Sequence, residues 1–310
     1  SDRGIVAAGH VDRARRLLEA AGVSVSVYDR VRENPCESDI GDCRAFAAGL
    51  PVDCIVGLGG GSSMDTAKGC NFLLADGGRM ADFRGYGLAR GRMLPFIAVP
   101  TTAGTGSECQ SYAVVCRDGS HEKMACGDPK ALARVAILDP ELTVSQPPAV
   151  ARLTVIDAVS HALESAVCTR RNPLSAMCSR EALRHLAAGV VAVLENRATP
   201  ADRASVLLGA AFAGMAIENS MLGAAHAAAN PLSARHGLAH GHAVALTLPQ
   251  VVRWNLGEPQ AAAIYQDLAG CVGGGPLPDW LERTIALAGL PGLQKLGMDG
   301  PEIAALAAEA

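Results

Sequence analysis

Up to about residue 138, short apolar runs alternate with stretches of helical periodicity. From residue 147 onward the apolar positions recur at helical spacing alone. Residues 12–21 carry helical periodicity closed by Gly22, a plausible C-cap. Residues 23–28 alternate apolar and polar side chains as a strand does. Residues 43–50 read as a helix, and residues 53–58 (DCIVGL) as a strand buried on both faces. A tight turn is predicted at 59–63 and a helix at 64–74. Strands follow at 95–99 (PFIAV) and 135–138. Such alternation predicts a parallel sheet covered by helices.

The second half changes character. Residues 149–167, 173–194 and 202–221 are long, Ala/Leu-rich and helical, and 237–254 and 258–269 add two more helices. The prolines at 147 and 148 break the chain where the pattern changes. The expected architecture is α/β plus all-α, with a Rossmann-like parallel-sheet domain over 1–146 and a helical domain over 147–310. A site shared by two such domains would lie in the cleft between them.

Composition narrows the function classes. Of 310 residues, 49% are hydrophobic and 19% charged, which is enough apolar surface to offset chain entropy and excludes a disordered chain. The net charge of −4, with no block of Lys or Arg, argues against a nucleic-acid partner. The most apolar stretch, 204–217, ends at Glu218 and Asn219, short of the roughly 20 residues of a membrane span. It reads as a core helix. No basic-then-apolar signal segment opens the chain. The ten cysteines form no C-x-x-C pair and suit buried thiols in a cytoplasmic protein. The chain begins at Ser1 and stops inside a helical pattern, so both ends read as cut from a longer protein.

Two loops carry candidate phosphate chemistry. In IVGLGGGSSMDTAKG, glycines lie between a strand and a helix. They let the backbone approach a ligand closely, and the helix N-terminus offers free N–H groups to a pyrophosphate. The G-x-G-x-x-G fingerprint is only approximated, because Ser62 replaces its last glycine. Walker A is excluded, because Gly69 follows Lys68. An ordinary strand–helix turn is the competing explanation. The second loop, PTTAGTGSE, combines hydroxyls at Thr101, Thr102, Thr105 and Ser107 with two glycines, and such donors suit phosphate or ribose oxygens. A loop capped by Ser107 is its simpler reading.

Asp157 and His161, four apart in a helical segment, share one helix face as i, i+4 metal pairs do. A capping Asp beside a surface His explains an isolated pair equally well. His185, His226, His236, His240 and His242 lie in the same half. His226, in an Ala-rich segment, is a buried polar group in need of a partner. By spacing His236 and His240 are as good a helical pair as Asp157 and His161, and spacing does not choose among them. One carboxylate with several imidazoles suits Fe²⁺ or Zn²⁺. Such an ion polarises a carbonyl or stabilises an alkoxide.

These segments, in this order over nearly the whole chain, resemble the iron-containing (group III) alcohol dehydrogenase family. The resemblance runs from SDRGIVAAGHVDRARRLLEAAG through Asn34–Pro35, GGGSSMDTAKG and PTTAGTGSE to AILDPELT, DAVSHALES and GAAHAAANPLSARHGLAHGHA. It implies an N-terminal Rossmann-like domain, a C-terminal helical domain, and a metal and nicotinamide between them. It implies Asp157, His161, His226 and His240 as metal ligands, leaving His236 outside the ligand spacing. It places the pyrophosphate turn at Gly59, Gly60, Gly61 and Ser62, with Asp65 just beyond. Thr101, Thr102 and Thr105 match the second cofactor loop, Lys123 a lysine near the nicotinamide ribose, and Leu142 an apolar residue beside the adenine. Asp2 matches an acidic residue after the family's second strand, where a carboxylate accepts bonds from ribose hydroxyls and repels a 2′-phosphate. NAD is therefore expected over NADP.

The sequence departs from the family pattern at Asn230, where many relatives have a second histidine, and at Val155, where they have glycine. The family's first strand and last few dozen residues have no counterpart here. Asn cannot relay a proton as imidazole does, so Asn230 is expected to position substrate. The expected proton path runs through a ribose hydroxyl and water, with His236 or His242 as helpers. The implied activity is NAD-linked hydride transfer between a small alcohol and its aldehyde or ketone, in a homodimer or larger homo-oligomer. The alternatives are a hydroxyacid–oxoacid transhydrogenase of the same family, a metal-dependent hydrolase that would leave both cofactor loops unexplained, and a non-catalytic homologue.

Overall fold

The computed structural model describes residues 1–120, 122–298 and 300–309, and within it the chain forms two units. One comprises Ser1–Thr102 and Ser107–Gln146, the other Ala103–Gly106 and Pro147–Ala310.

The first unit contains α1 (Arg3–Ala7), α2 (His10–Ala20), α3 (Glu37–Ala48), β1 (Ile55–Gly59), α4 (Gly61–Asp76), β2 (Gly85–Tyr86), β3 (Phe96–Pro100), β4 (Tyr112–Cys116), β5 (Lys123–Gly127) and β6 (Val135–Ala136). Strands β1, β3 and β6 form a parallel sheet in that order, with Ile55 opposite Phe96 and Gly59 opposite Pro100. A second sheet, ordered β2-β5-β4, pairs β4 and β5 antiparallel. Helix α4 serves both sheets. Its Met64 and Ala67 pack on Phe96 and Ala98 of the parallel sheet. One or two turns later Phe72 and Leu73 join Val115 and Met124 of the second sheet. Phe72 is fully buried, a burial that contributes about 2–3 kcal/mol.

Three local expectations change. Residues 23–28 have no regular secondary structure and form no ladder. The Tyr28 carbonyl accepts from the Ser1 ammonium at 3.0 Å, and no described strand lies alongside. Alternation gives a segment its two faces, whereas a strand also needs a neighbour to pair with. Helix α3 starts earlier than its apolar pattern, because Asp39 accepts from the Cys36 N–H at 2.9 Å and caps the first turn. The β4–β5 pair was not expected.

The second unit is helical throughout: α5 (Pro148–Val167), α6 (Pro173–Leu194), α7 (Pro200–Asn219), α8 (Ala224–His236), α9 (His240–Asn255), α10 (Pro259–Ala269), α11 (Leu277–Leu287) and α12 (Gly300–Glu309). Asn172 caps α6 through Leu174 N and Ser175 N, both at 3.0 Å, and Thr199 caps α7 through Asp202 N. Prolines occupy the first turns of α5, α6 and α7, where a missing N–H costs nothing. Helix α8 was not among the expected helices, and Pro231 is accommodated within it. The helix expected over 237–254 begins instead at His240.

Gly106, at φ +64°, lies against Gly214 of α7, and a Cβ on Gly214 would stand 2.4 Å from the Gly106 carbonyl oxygen. Only hydrogen on both Cα atoms permits that approach. No single described helix is long and apolar enough to cross a membrane. Helices α7 and α8 meet the length and composition only as a pair, bent by 102°. The α/β plus all-α architecture expected from the sequence is the one observed.

Candidate metal centre and glycine turn

Helix α5 is buried continuously from Val155 to Ala166, and three of its buried residues there are Asp157, His161 and Glu164. Their i, i+4, i+7 spacing places them in one stripe. Polar groups so deeply buried need partners, and the stripe meets His226 of α8 and His240 at the start of α9. Asp157 Oδ1 lies 3.4 Å from His161 Nε2, 3.5 Å from His226 Nε2 and 3.7 Å from His240 Nε2. The His161 and His226 rings stack with centroids 5.0 Å apart, and the His226 and His240 rings are tilted at 5.1 Å. Asp157, His161 and His226 are almost wholly enclosed, while the His240 side chain is 27% exposed.

These separations are too long for strong hydrogen bonds. Asp157 Oδ1 and His226 Nε2 are buried without a hydrogen-bond partner. Donor atoms held at about 2.1 Å around a tetrahedral ion stand about 3.4 Å from one another. The observed spacing fits a divalent cation held by Asp157, His161 and His226, whose donors all lie within 4.8 Å of one another, with His240 beside this group at 3.7 Å from Asp157 Oδ1. The donor set suits Fe²⁺ or Zn²⁺.

The electrostatics point the same way. Burial alone would raise the Asp157 carboxyl, but the imidazoles of His161, His240 and His226 hold it far below the usual carboxylate range. Burial lowers His161. Burial would lower His226 too, but the carboxylates of Asp157 and Glu164 reverse this and hold it at about 9. A proton on His226 thus occupies a position that a cation can take over, so metal binding would release it.

Other expected site residues have different partners. His236 Nε2 stands 3.3 Å from Glu302 Oε1 on α12. His242 Nε2 bonds the Pro291 carbonyl at 2.8 Å, which places that ring in the packing between α9 and the segment after α11. These contacts tie both rings to the C-terminal segments and not to the Asp157 cluster. Asn230 is exposed on α8, one turn beyond His226.

In the first unit, Gly59 ends β1 at φ +148°, where a Cβ would lie 2.3 Å from Ser63 Oγ. The chain turns directly into α4, with Gly60 as N-cap and Gly61 as first residue. Ser62 Oγ accepts from the Asn34 N–H at 3.1 Å, and Thr101 N donates to the Gly59 carbonyl at 2.9 Å. The Thr102 methyl lies 3.3 Å from the Cβ position of Gly60. Asp2 caps α1 through Oδ1, which accepts from Gly4 N and Ile5 N. Its Oδ2 lies 3.5 Å from the Cβ position of Gly59, so a carboxylate borders the turn. Leu142 packs with Val11 and Leu58. Lys123 opens β5 opposite Cys116. Thr105 belongs to the second unit.

Asp65 is half-buried in the first turns of α4, with a partner inside the first unit. Its carboxylate accepts from Ser107 Oγ at 3.0 Å, and Ser107 Oγ accepts in turn from Lys68 Nζ at 2.9 Å. Lys68 is fully buried and also donates to the carbonyls of Ser107 and Tyr112. The Ser107 hydroxyl therefore serves this network. Burial pushes Asp65 up to about 6, against the pull of Lys68 and Ser107.

Neighbouring Glu108 has a buried Oε1 with no hydrogen-bond partner, and burial pushes its carboxyl up to about 7. The folded protein therefore binds a proton at Glu108 that the unfolded chain releases near 4.5. The stability this proton carries is present below that value and is lost as pH rises through about 7. Glu108→Gln is expected to raise the melting temperature at pH 8 by a few degrees, on the order of 1–2 kcal/mol, and to give no gain at pH 5. Calorimetry at the two pH values checks this.

Glu164, Lys68 and Ser107 were not expected as supporting residues. Glu164 had one available signal, its place three residues after His161 on the stripe begun by Asp157.

Residues 1–140 match the family described as iron-containing alcohol dehydrogenase, and residues 151–310 match the C-terminal region of the Fe-containing alcohol dehydrogenase family. Alcohol dehydrogenase 4 of Schizosaccharomyces pombe is 32% identical over 274 residues, a match covering 87% of this chain and 65% of that protein. The chain thus spans about two thirds of that relative's length. The crystal structure of a 1,3-propanediol oxidoreductase superposes with a TM-score of 0.89 at 30% identity, covering all of this chain and 84% of that one. The sulfoacetaldehyde reductase of Bifidobacterium kashiwanohense, solved in complex with NAD⁺, superposes with a TM-score of 0.88 at 29% identity, covering 98% of this chain and 81% of that one. With both halves matched in order and the Asp/His cluster assembled on the helical half, the chain belongs to the iron-containing alcohol dehydrogenase family.

Proposed function

We propose that this protein is a metal-dependent, NAD-linked alcohol dehydrogenase that interconverts small alcohols and their aldehydes or ketones. The observation that carries the reading is the single carboxylate oxygen of Asp157 set 3.4–3.7 Å from three imidazole nitrogens, with Asp157 Oδ1 and His226 Nε2 buried and without a hydrogen-bond partner. The two family matches and the NAD⁺ complex of a structural relative support it.

Asp157, His161, His226 and His240 would hold Fe²⁺ or Zn²⁺. When bound, the ion supplies Lewis acidity at the substrate oxygen and the nicotinamide accepts or gives the hydride. The chain's own part is orientation and charge. Asp157 and the imidazoles present a preformed, largely dry donor set, so little reorganisation opposes binding. His240, the most exposed of the four, marks the open side of the cluster. Gly59, Gly60 and the first turn of α4 offer backbone N–H groups to a pyrophosphate. Asp2 beside Gly59 favours ribose hydroxyls over a 2′-phosphate, so NAD is the proposed cofactor over NADP. Asn230, one turn from His226, offers amide hydrogen bonds to substrate. The ten free thiols suit a reducing compartment, and a cytoplasmic location is part of the proposal.

The test is spectrophotometric. Protein stripped of metal and reloaded anaerobically with Fe²⁺ or Zn²⁺ is expected to form NADH from short primary alcohols and diols, and to oxidise NADH with their aldehydes. Metal-free protein is expected to do neither. Metal-independent turnover, or NADP favoured over NAD, would contradict the assignment.

A further inference from the structure

His226 is held from both sides. Its Nε2 faces Asp157, while its Nδ1 contacts Glu164 Oε2 in a buried hydrogen bond. The other oxygen, Glu164 Oε1, accepts from the Ala225 N–H at 2.7 Å. That N–H belongs to the first turn of α8, whose N-cap Gly223 provides no side-chain cap. A Cβ on Gly223 would lie 2.9 Å from Glu164 Oε1, so the capping position is open to this carboxylate. One side chain on α5 thus caps α8 and grips the ring two residues into it.

We infer that Glu164 is a positioning residue that keeps the His226 proton on Nδ1, leaving Nε2 as the lone-pair nitrogen for the metal. The inference rests on the metal reading proposed above. An ionised carboxylate only accepts hydrogen bonds. With Ala225 N–H fixed on one oxygen, the other oxygen can be satisfied only by an N–H at His226 Nδ1. Once the ion has displaced the second proton, the neutral imidazole carries one such proton, so Nε2 is then bare. Ring orientation and proton position follow from a single group, and such outer partners typically contribute 10–100-fold to metal affinity.

Glu164→Gln separates this from a merely structural role, because it keeps shape and volume. The Ala225 N–H requires the glutamine oxygen, since turning the amide would set donor against donor. The amide NH₂ then faces His226 Nδ1, which must accept, and the ring proton moves to Nε2 where the ion would bind. Zn²⁺ affinity is to be measured by competition with a chromophoric chelator in the wild type and in Glu164→Gln. In parallel, ¹⁵N-edited NMR of the Zn²⁺-loaded wild type reads the His226 Nδ1–H signal. The expected results are a loss of about 10–100-fold in Zn²⁺ affinity with an unchanged melting temperature, and a slowly exchanging, strongly downfield Nδ1–H in the wild type. Wild-type affinity in a folded Glu164→Gln would overturn the inference. So would a fast-exchanging or absent Nδ1–H signal, which decides the matter even if the variant does not fold. Failure of the wild type to bind either Zn²⁺ or Fe²⁺ would instead remove the metal reading, and this inference with it.

Discussion

Asp157→Ala is expected to lower Fe²⁺ or Zn²⁺ affinity by at least about two to three orders of magnitude and to remove metal-dependent NADH formation. The carboxylate is the only anion among the four candidate ligands, and its Oδ1 lies within 3.7 Å of three imidazoles. Without it, three buried or half-buried rings converge with no anionic ligand for a divalent ion, and Glu164 acts only from behind His226. Removing one partner from a buried charged set costs about 3–5 kcal/mol, the energetic equivalent of that affinity loss. The same substitution relieves His226 of one of the two carboxylates that hold it at about 9. Its titration in the metal-free variant is expected to move down, which NMR detection of the ring protons would report. Tight metal binding by the variant would show that the ion sits elsewhere.

Lys68→Met is expected to produce the largest loss of stability in the first unit, about 3–5 kcal/mol, seen as a fall in melting temperature of roughly 10 °C. The ammonium is fully buried and donates to two carbonyls and a hydroxyl, and that hydroxyl in turn serves Asp65. Methionine fills the space and satisfies none of these acceptors. Lys68 also lowers both Asp65 and Glu108, whose carboxyls burial has raised to about 6 and about 7. The damage is therefore pH-dependent. A carboxyl whose folded value is raised stabilises the fold when protonated, so the deficit is smaller at pH 5 than at pH 8. A melt at each pH checks both the size and the sign, and an equal deficit at both would show that the carboxylates play no part.

Much of the architecture was legible because it depends on local pattern. The apolar run before Gly59, the glycines themselves and the long Ala/Leu-rich helices each follow from residue type and spacing. The Asp157–His161 pair was legible for the same reason, since four residues make one helical turn. What spacing leaves open is which distant histidine joins them. His236 and His240 are equivalent on a helix drawn from sequence. In the structure a break after α8 separates them, His240 opening α9 toward Asp157 and His236 closing α8 toward Glu302. Only the family resemblance distinguished the two beforehand.

Other features depend on neighbours. Residues 23–28 have the alternation of a strand but no described ladder partner, while YAVVC and KMACG pair with each other at a register no single-strand pattern specifies. Asp65 reads as a polar residue near a cofactor turn until Ser107, far along the chain, is seen to bond it. Glu164 reads as one more helical glutamate until α8 brings an N–H and an imidazole to its two oxygens.

The four residues Ala103–Gly106 belong to the helical unit although the surrounding chain belongs to the other. This matters for the order of assembly. On a ribosome, Gly106 emerges more than a hundred residues before Gly214, the residue that it packs against. The short stretch must wait while the rest of the first unit is already available to fold, since domains form from the N-terminus during synthesis. A fragment beginning at Pro147 would lack it altogether, and α7 would carry a glycine-sized groove with nothing in it. Cutting the gene at the visible boundary is thus the wrong way to isolate the metal-binding half. A circular permutant or a co-expressed N-terminal piece would supply the missing turn.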